Sequence, residues 1–181
     1  MKLAELVESL TKWRDANPKG SKRDLAEAIT AQSDLKLDKA LLIGSQCVLR
    51  ISQMNEVAND SNAVLSFRKL FEHDHLPVII CLLTSRGMRL LLGNTSFIER
   101  VSDRSYRIAV DNLTGSILDS DIASALDGVA NLPNNFEQLW AVHQGSDRAA
   151  NVERIVAATK DVHASEARAN PGRVKLSSKP R

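Results

Sequence analysis

Apolar residues recur three and four apart from the first turn of the chain. Leu3, Leu6, Val7, Leu10 and Trp13 fall on one face of a predicted helix over 2–15. Asn17-Pro18-Lys19-Gly20 ends that helix, since proline and glycine break the backbone pattern. Ser21 then stands at the N-cap of a second helix over 22–32. Asp24 completes a short capping box, and Leu25, Ala28 and Ile29 turn inward. The pair makes a helical hairpin over 1–33. Lys19, Lys22 and Arg23 at its junction give it the outline of a helix-turn-helix reader, beside the simpler reading of two packed helices.

The period then changes. Over 37–54, Leu41 to Ile43 can extend a helix, whereas Gly44 argues for a break and 47–52 suits a strand. A polar connection fills 55–62. Val64, Phe67, Leu70 and Phe71 return to helical spacing, with Ser61 as the expected cap. Pro77 opens a strand, because it has no N–H to offer a ladder. Val78 to Leu83 is unbroken apolar sequence, the mark of a strand buried on both faces. Ser85-Arg86-Gly87 reads as a turn with Gly87 at positive φ, and Met88 to Leu92 as the returning strand. A short helix over 96–101, a strand over 106–110 and a polar loop over 111–121 follow. Helices are expected from Ser120 or Asp121 to Leu126, from Asn134 or Asn135 through His143, and from Ser146 to about Ala167.

The resulting class is α+β: a small, mainly antiparallel sheet of about four strands (47–52, 78–84, 88–92 and 106–110), with an N-terminal helical hairpin and a C-terminal helical segment. One domain spans 1–167, divided into the hairpin at 1–33, a sheet-containing core at 37–122 and helices at 123–167. Residues 168–181 form a basic tail expected to be disordered.

Composition sharpens this picture in three places. Apolar residues make up 43% of the 181 but aromatic ones only 4%, so aliphatic side chains must fill the core. No apolar run approaches the ~18 residues of a membrane helix, and the first residues lack an apolar leader, so a cytoplasmic protein with no membrane partner is expected. Cys47 and Cys81, in apolar surroundings, read as buried reduced thiols. The tail from Arg168 onward holds five cations and no acid, so the net charge of +2 leaves residues 1–167 at −3.

Candidate chemistry is sparse. His73-Asp74-His75 has ligand-like spacing, since residues two apart point the same way in an extended segment; it equally suits a solvated loop. Asp111, Asp119 and Asp121 surround Thr114-Gly115-Ser116, where converging carboxylates suit Mg²⁺ but helix capping also places acids. Ser116 lacks the G-x-S-x-G elbow, and neither His143 nor His163 is placed near it by sequence. The phosphate-loop and dinucleotide patterns are absent. The one D-x-K match to a common nuclease core, Asp34-Leu35-Lys36, stands in a polar segment after a helix. No catalytic residue, metal site or cofactor is assigned.

Three stretches carry a family likeness: LLLGNTSFIERVS (90–102), RIAVDNLTGSILDSDI (107–122) and NFEQLWAVH (135–143). Over roughly residues 60–160 the chain resembles the N-terminal, non-catalytic portion of bacterial type II restriction endonucleases. The resemblance implies that Asn94, Thr95, Ser96, Asn112, Gly115, Ser116 and Asp121 belong to one structural or recognition feature.

Three functions remain open on these residues. The first is a restriction-related DNA-recognition or specificity module, or a truncated endonuclease lacking its nuclease centre. It would bind double-stranded DNA with Arg86, Arg89, Arg100, Arg104 and Arg107 on phosphates and Asn94, Ser96, Asn112 and Ser116 on base edges. The second is a protein-interaction or regulatory module whose partner is a separate subunit or a second copy of the chain. The third is a small Mg²⁺-dependent hydrolase built on the aspartates.

Overall fold

The computed structural model describes residues 1–54, 63–99, 101 and 115–169. Helix α1 (Leu3–Ala16) and helix α2 (Lys22–Ala31) form the expected hairpin. Ser21 caps α2: its hydroxyl accepts from the Asp24 backbone N–H, and the Asp24 carboxylate accepts from the Ser21 N–H at 2.9 Å. Leu6, Leu10, Leu25 and Ile29 are wholly buried on the inner stripe.

The ambiguous region after them is strand. β1 (Lys36–Asp38) and β2 (Leu41–Ile43) make a tight ribbon, and β3 (Val48–Gln53) follows. The helical alternative for Leu41 to Ile43 is thereby corrected: three residues bounded by a turn and Gly44 are too few for a helix but complete a ladder. Strand β4 (Ala63–Ser66) leads into α3 (Phe67–His73). Ser66, not Ser61, caps α3 by accepting from the Lys69 N–H. β5 (Val78–Leu83) and β6 (Met88–Leu92) form the predicted hairpin. Gly87 closes it without positive φ, because the Thr84 hydroxyl accepts from the Arg86 and Gly87 N–H groups and holds the turn instead.

The principal sheet has five strands in the order β1-β2-β3-β5-β6. It is mixed rather than mainly antiparallel, for β3 pairs β5 in parallel register from Val48↔Val78 to Gln53↔Leu83. That pairing follows from the crossover between them, which holds β4 and α3; a parallel neighbour needs such a connection. Interior strand β5, between β3 and β6, is buried along its whole length, as its unbroken apolar run requires. Helix α2 packs against β3 on one face, and β4 packs on β3 from the other. β4 pairs with β7 (Ser116–Leu118), a strand inside the segment expected to be loop.

Two further expectations change. The helix over 96–101 is a single 3₁₀ turn at Thr95–Phe97, after which Ile98 bridges Ile122. The helix expected up to Leu126 is a 3₁₀ turn at Asp119–Asp121 followed by a small hairpin, β8 (Ala125–Leu126) and β9 (Val129–Ala130). Asp127 and Gly128 at its turn both have positive φ, a type of turn that a helix reading overlooks. Helices α4 (Phe136–Gln144) and α5 (Arg148–Ala169) close the chain. Asp147, rather than Ser146, accepts from the first amides of α5, at 2.8 Å from Ala149 N. The strand predicted over 106–110 lies outside the described residues, as does most of the basic tail. No helix among the described residues is long and apolar enough to cross a membrane.

Cys47 and Cys81 are free and buried in the core. Burial pushes their thiols up to about 11 and about 12 respectively. A thiol-disulfide reagent at pH 8 should leave both untouched in the native protein and modify both after denaturation. Rapid native labelling of either would show that the core opens readily.

Candidate nucleic-acid interface

The parallel pairing of β3 and β5 sets both of their carboxyl ends at one end of the sheet. The β1–β2 turn folds back to that end, because Leu42 pairs Leu49 and the turn residues Lys39 and Ala40 therefore reach the level of Ile51. The β5–β6 turn with Arg86 lies there too, and Arg89 is one residue inside it. Helix α1 brings Arg14, whose Nη2 donates to the Thr84 carbonyl at 2.7 Å. The start of α2 brings Lys22, which shares a cleft of about 560 Å³ with Lys39, Ile51 and Gln53. On the other face of the ribbon a cleft of about 340 Å³ is lined by Lys39, Arg50, Lys69 and Ser116 among others.

Several acids at this end have partners, while Asp15 shares a cleft with Arg14 and Arg89 and Lys69 is shared by Asp38 and Glu72. Asp24 serves the α2 cap, Glu27 pairs Arg23 at 2.8 Å, and Asp38 pairs Lys69 at 3.0 Å. Arg14, Lys22, Lys39, Arg50 and Arg89 have no carboxylate within ion-pair distance among the described residues. Arg50 is the least expected of them. Its guanidinium donates to the carbonyls of Val64 and Ala40, so it is fixed by the backbone and left with its full charge. Burial lowers its pKa, and burial together with the Arg50 charge lowers that of Lys22. Two partly desolvated cations that repel each other gain most from an anion placed between or beside them.

The residues singled out from sequence divide into three groups. Arg86 and Arg89 occupy this basic end, and Ser116 lines the cleft beside Lys39 and Arg50. Arg100, Arg104, Arg107 and Asn112 lie outside the described residues. Asn94 and Ser96 lie at the opposite end of the sheet, beside the start of β5, on the order of 20 Å away given the rise of a strand. Their expected role at base edges is corrected by their burial. The Asn94 side chain accepts from Val78 N at 2.9 Å and donates to Leu76 O at 2.8 Å. Nothing of that amide remains for a ligand.

Asn94 and Ser96 belong to a buried polar knot around Asp74. The Asp74 carboxylate accepts from Thr95 N at 2.8 Å, from Thr95 Oγ1 at 2.6 Å and from Asn94 Nδ2 at 3.3 Å. His143 Nε2 donates to the Asp74 carbonyl at 2.9 Å, since a carbonyl has only lone pairs to give. In the neutral ring Nδ1 is then the acceptor for Ser96 Oγ at 2.7 Å. Ser96, His143 and Asp74 thus sit side by side without forming a charge-aligned triad. The carboxylate serves Thr95, while the imidazole leans on the backbone. The knot staples the β5 entry, the 3₁₀ turn and α4 together. The ligand-like reading of His73-Asp74-His75 required an extended segment; His73 instead ends α3 and Asp74 keeps a helical backbone, so the premise that the two histidines point the same way is lost. Among the described residues no group of three or more His, Cys, Asp or Glu is placed to hold a metal ion. Asp121, one of the proposed Mg²⁺ aspartates, is buried and accepts from Leu118 N at 2.8 Å.

His73 carries a separate consequence. Its Nε2 is buried with no hydrogen-bond partner among the described residues, and burial lowers its pKa. The unfolded chain therefore binds a proton near pH 6.5 that the native chain refuses, so stability should fall as pH drops below about 6.5. His73→Phe should flatten that part of a urea-midpoint profile; an unchanged profile would assign the dependence to other groups.

Sequence reasoning named Lys22 only as a hairpin-junction residue and missed Lys39 and Arg50. Lys39 had a faint signal, a lysine beside an aspartate between two short apolar runs, but the strands flanking it were unassigned. Taken together, these features describe an α+β protein with a mixed five-stranded sheet and a basic, cleft-flanked sheet end. No protein-family model matches the chain, and no curated protein matches it.

Proposed function

We propose that this chain is a DNA-recognition module, of the restriction-related kind its sequence resembles, that supplies duplex binding rather than strand cleavage. The observation that carries this reading is the gathering of Arg14, Lys22, Lys39, Arg50 and Arg89 at one sheet end with no carboxylate within ion-pair distance among the described residues. A folded part whose net charge is negative gains nothing in solubility from concentrating cations at one place. A polyanion such as duplex DNA does gain: each lysine or arginine set on a phosphate releases a condensed counterion. The cations stand on a rigid sheet, on capped helices and on tight turns, so little ordering is required when they meet their partner.

The test is fluorescence anisotropy of a labelled mixed-sequence duplex at low and moderate salt. Binding that weakens steeply with salt is expected. No anisotropy change at low salt, with a correctly folded chain, overturns the reading.

A further inference from the structure

We propose that the cleft between the start of α2 and the β1–β2 ribbon is a small-molecule site for a free adenine mononucleotide, held with its ring on the sheet face and its phosphate against Lys22 and Lys39. The site is additional to duplex binding and does not depend on it.

Strand register builds the floor. Leu37 pairs Leu42 and Leu42 pairs Leu49, so the three share one face of the sheet. Ile51 and Gln53 follow Leu49 in steps of two and point the same way. The first turns of α2 stand over this face, and the cleft left between them has a volume of about 560 Å³. Small-molecule sites typically enclose roughly 300–1,000 Å³, with apolar walls and a few polar groups that fix orientation. Leu42 and Ile51 are buried at the base, whereas Leu37 is 66% exposed. An exposed strand leucine is here the wall of a concave site, where a flat ring can cover it.

Charge selects the ligand. Lys22 and Lys39 both border the cleft, and neither has a carboxylate within ion-pair distance among the described residues. Glu27, the acid that borders it, pairs Arg23 at 2.8 Å. Asp38 borders the cleft on the opposite face of the ribbon, where Lys69 holds it at 3.0 Å. Two free ammonium groups thus face the space, and a phosphate dianion matches them. The Gln53 side chain, exposed at the end of β3, presents an amide donor and acceptor side by side. That pair is complementary to N6 and N7 of adenine. A simple inorganic anion would leave both Leu37 and Gln53 unused.

The experiment is calorimetric titration of the full chain with AMP, adenosine and inorganic phosphate. AMP should bind at one site per chain, with adenosine and phosphate each about tenfold weaker or more, since each keeps only part of the contacts. Lys39→Gly removes the side chain at a position with φ of 56°, which glycine adopts without strain, so folding is preserved. It should weaken AMP about tenfold and leave adenosine unchanged. Leu37→Ser should weaken AMP and adenosine alike, by about tenfold, and leave phosphate unchanged. That crossed pattern is one a merely misfolded variant does not give. No saturation up to about 1 mM AMP, phosphate binding as tightly as AMP, or wild-type AMP affinity in both variants overturns the site. Tighter binding of a single strand with a 5′-terminal adenosine phosphate than of AMP overturns the free-nucleotide assignment. Duplex binding without AMP binding overturns this site alone, and AMP binding without duplex binding overturns the DNA-recognition reading alone.

Discussion

Asp74→Ala should lower the unfolding free energy by about 3–5 kcal/mol, the range for removing one member of a buried charged network. The Asp74 side chain is fully buried. It accepts two hydrogen bonds from Thr95 and one from Asn94, with Arg148 Nε at 3.7 Å and His143 Nε2 at 3.6 Å from its oxygens. Deleting the carboxylate leaves the Thr95 amide and hydroxyl buried without an acceptor, and each such orphan costs about 1–3 kcal/mol. It also strips the Arg148 guanidinium, stacked 4.2 Å over the Phe71 ring, of its nearby negative charge. Asp74→Asn keeps the volume and one acceptor oxygen, so a smaller loss is expected, between that of alanine and none. Urea denaturation of the two variants measures both. If Asp74→Ala unfolds at the wild-type midpoint, the knot is not what holds the β5 entry to α4. Duplex affinity of the folded Asp74→Asn variant should equal wild type, because the knot and the basic sheet end are at opposite ends of β5.

The second large effect is on binding. The triple variant Lys22→Ala, Arg86→Ala and Arg89→Ala should lose about three phosphate contacts, lowering the slope of log affinity against log salt by roughly 0.9 per contact. Counterion release scales with the logarithm of salt, so the same loss at 0.1 M salt is about 10²- to 10³-fold in affinity and shrinks toward nothing near 1 M. Anisotropy titrations at several salt concentrations read slope and affinity together. A weaker affinity with an unchanged slope would mean that the three residues act through structure. An unchanged affinity would move the interface elsewhere.

The helical hairpin, the β5–β6 hairpin and α4 were legible in sequence because each is specified within a dozen residues. Ser21 with Asp24 makes a reciprocal cap, the Val78 to Leu83 run can only be buried, and Phe136, Leu139 and His143 fall on one helical face. The elements that escaped are those specified by distant partners. β1, β2 and β7 have three residues each, too few to show a period, and they exist because ladders lie ready for them at β3 and β4. The helix expected toward Leu126 is instead a hairpin, because Asp127 and Gly128 take positive φ and reverse the chain.

For the site the division is sharper. Sequence singled out Arg86, Arg89 and Ser116, which the fold places at the basic sheet end, and it grouped Asn94 and Ser96 with them because they are neighbours along the chain. Neighbours along a strand of six residues can be at opposite ends of a sheet, and here β5 and β6 carry the arginines to one end and the asparagine to the other. Whether a polar side chain is a ligand or a staple depends on what surrounds it. Asn94, Ser96 and His143 are staples because Asp74 and the start of β5 lie within hydrogen-bond reach.

What local sequence settled was the α+β class, the Ser21 cap, the buried β5 strand and the unpaired thiols, since short-range backbone preference and apolar periodicity suffice for each. What tertiary structure decided was the parallel β3–β5 pairing, and with it the place where Arg14, Lys22, Lys39, Arg50 and Arg89 meet. Charges from five separate elements become one field only when strand register and helix packing bring them to the same end, and that is a property of distances in space that spacing along the chain does not encode.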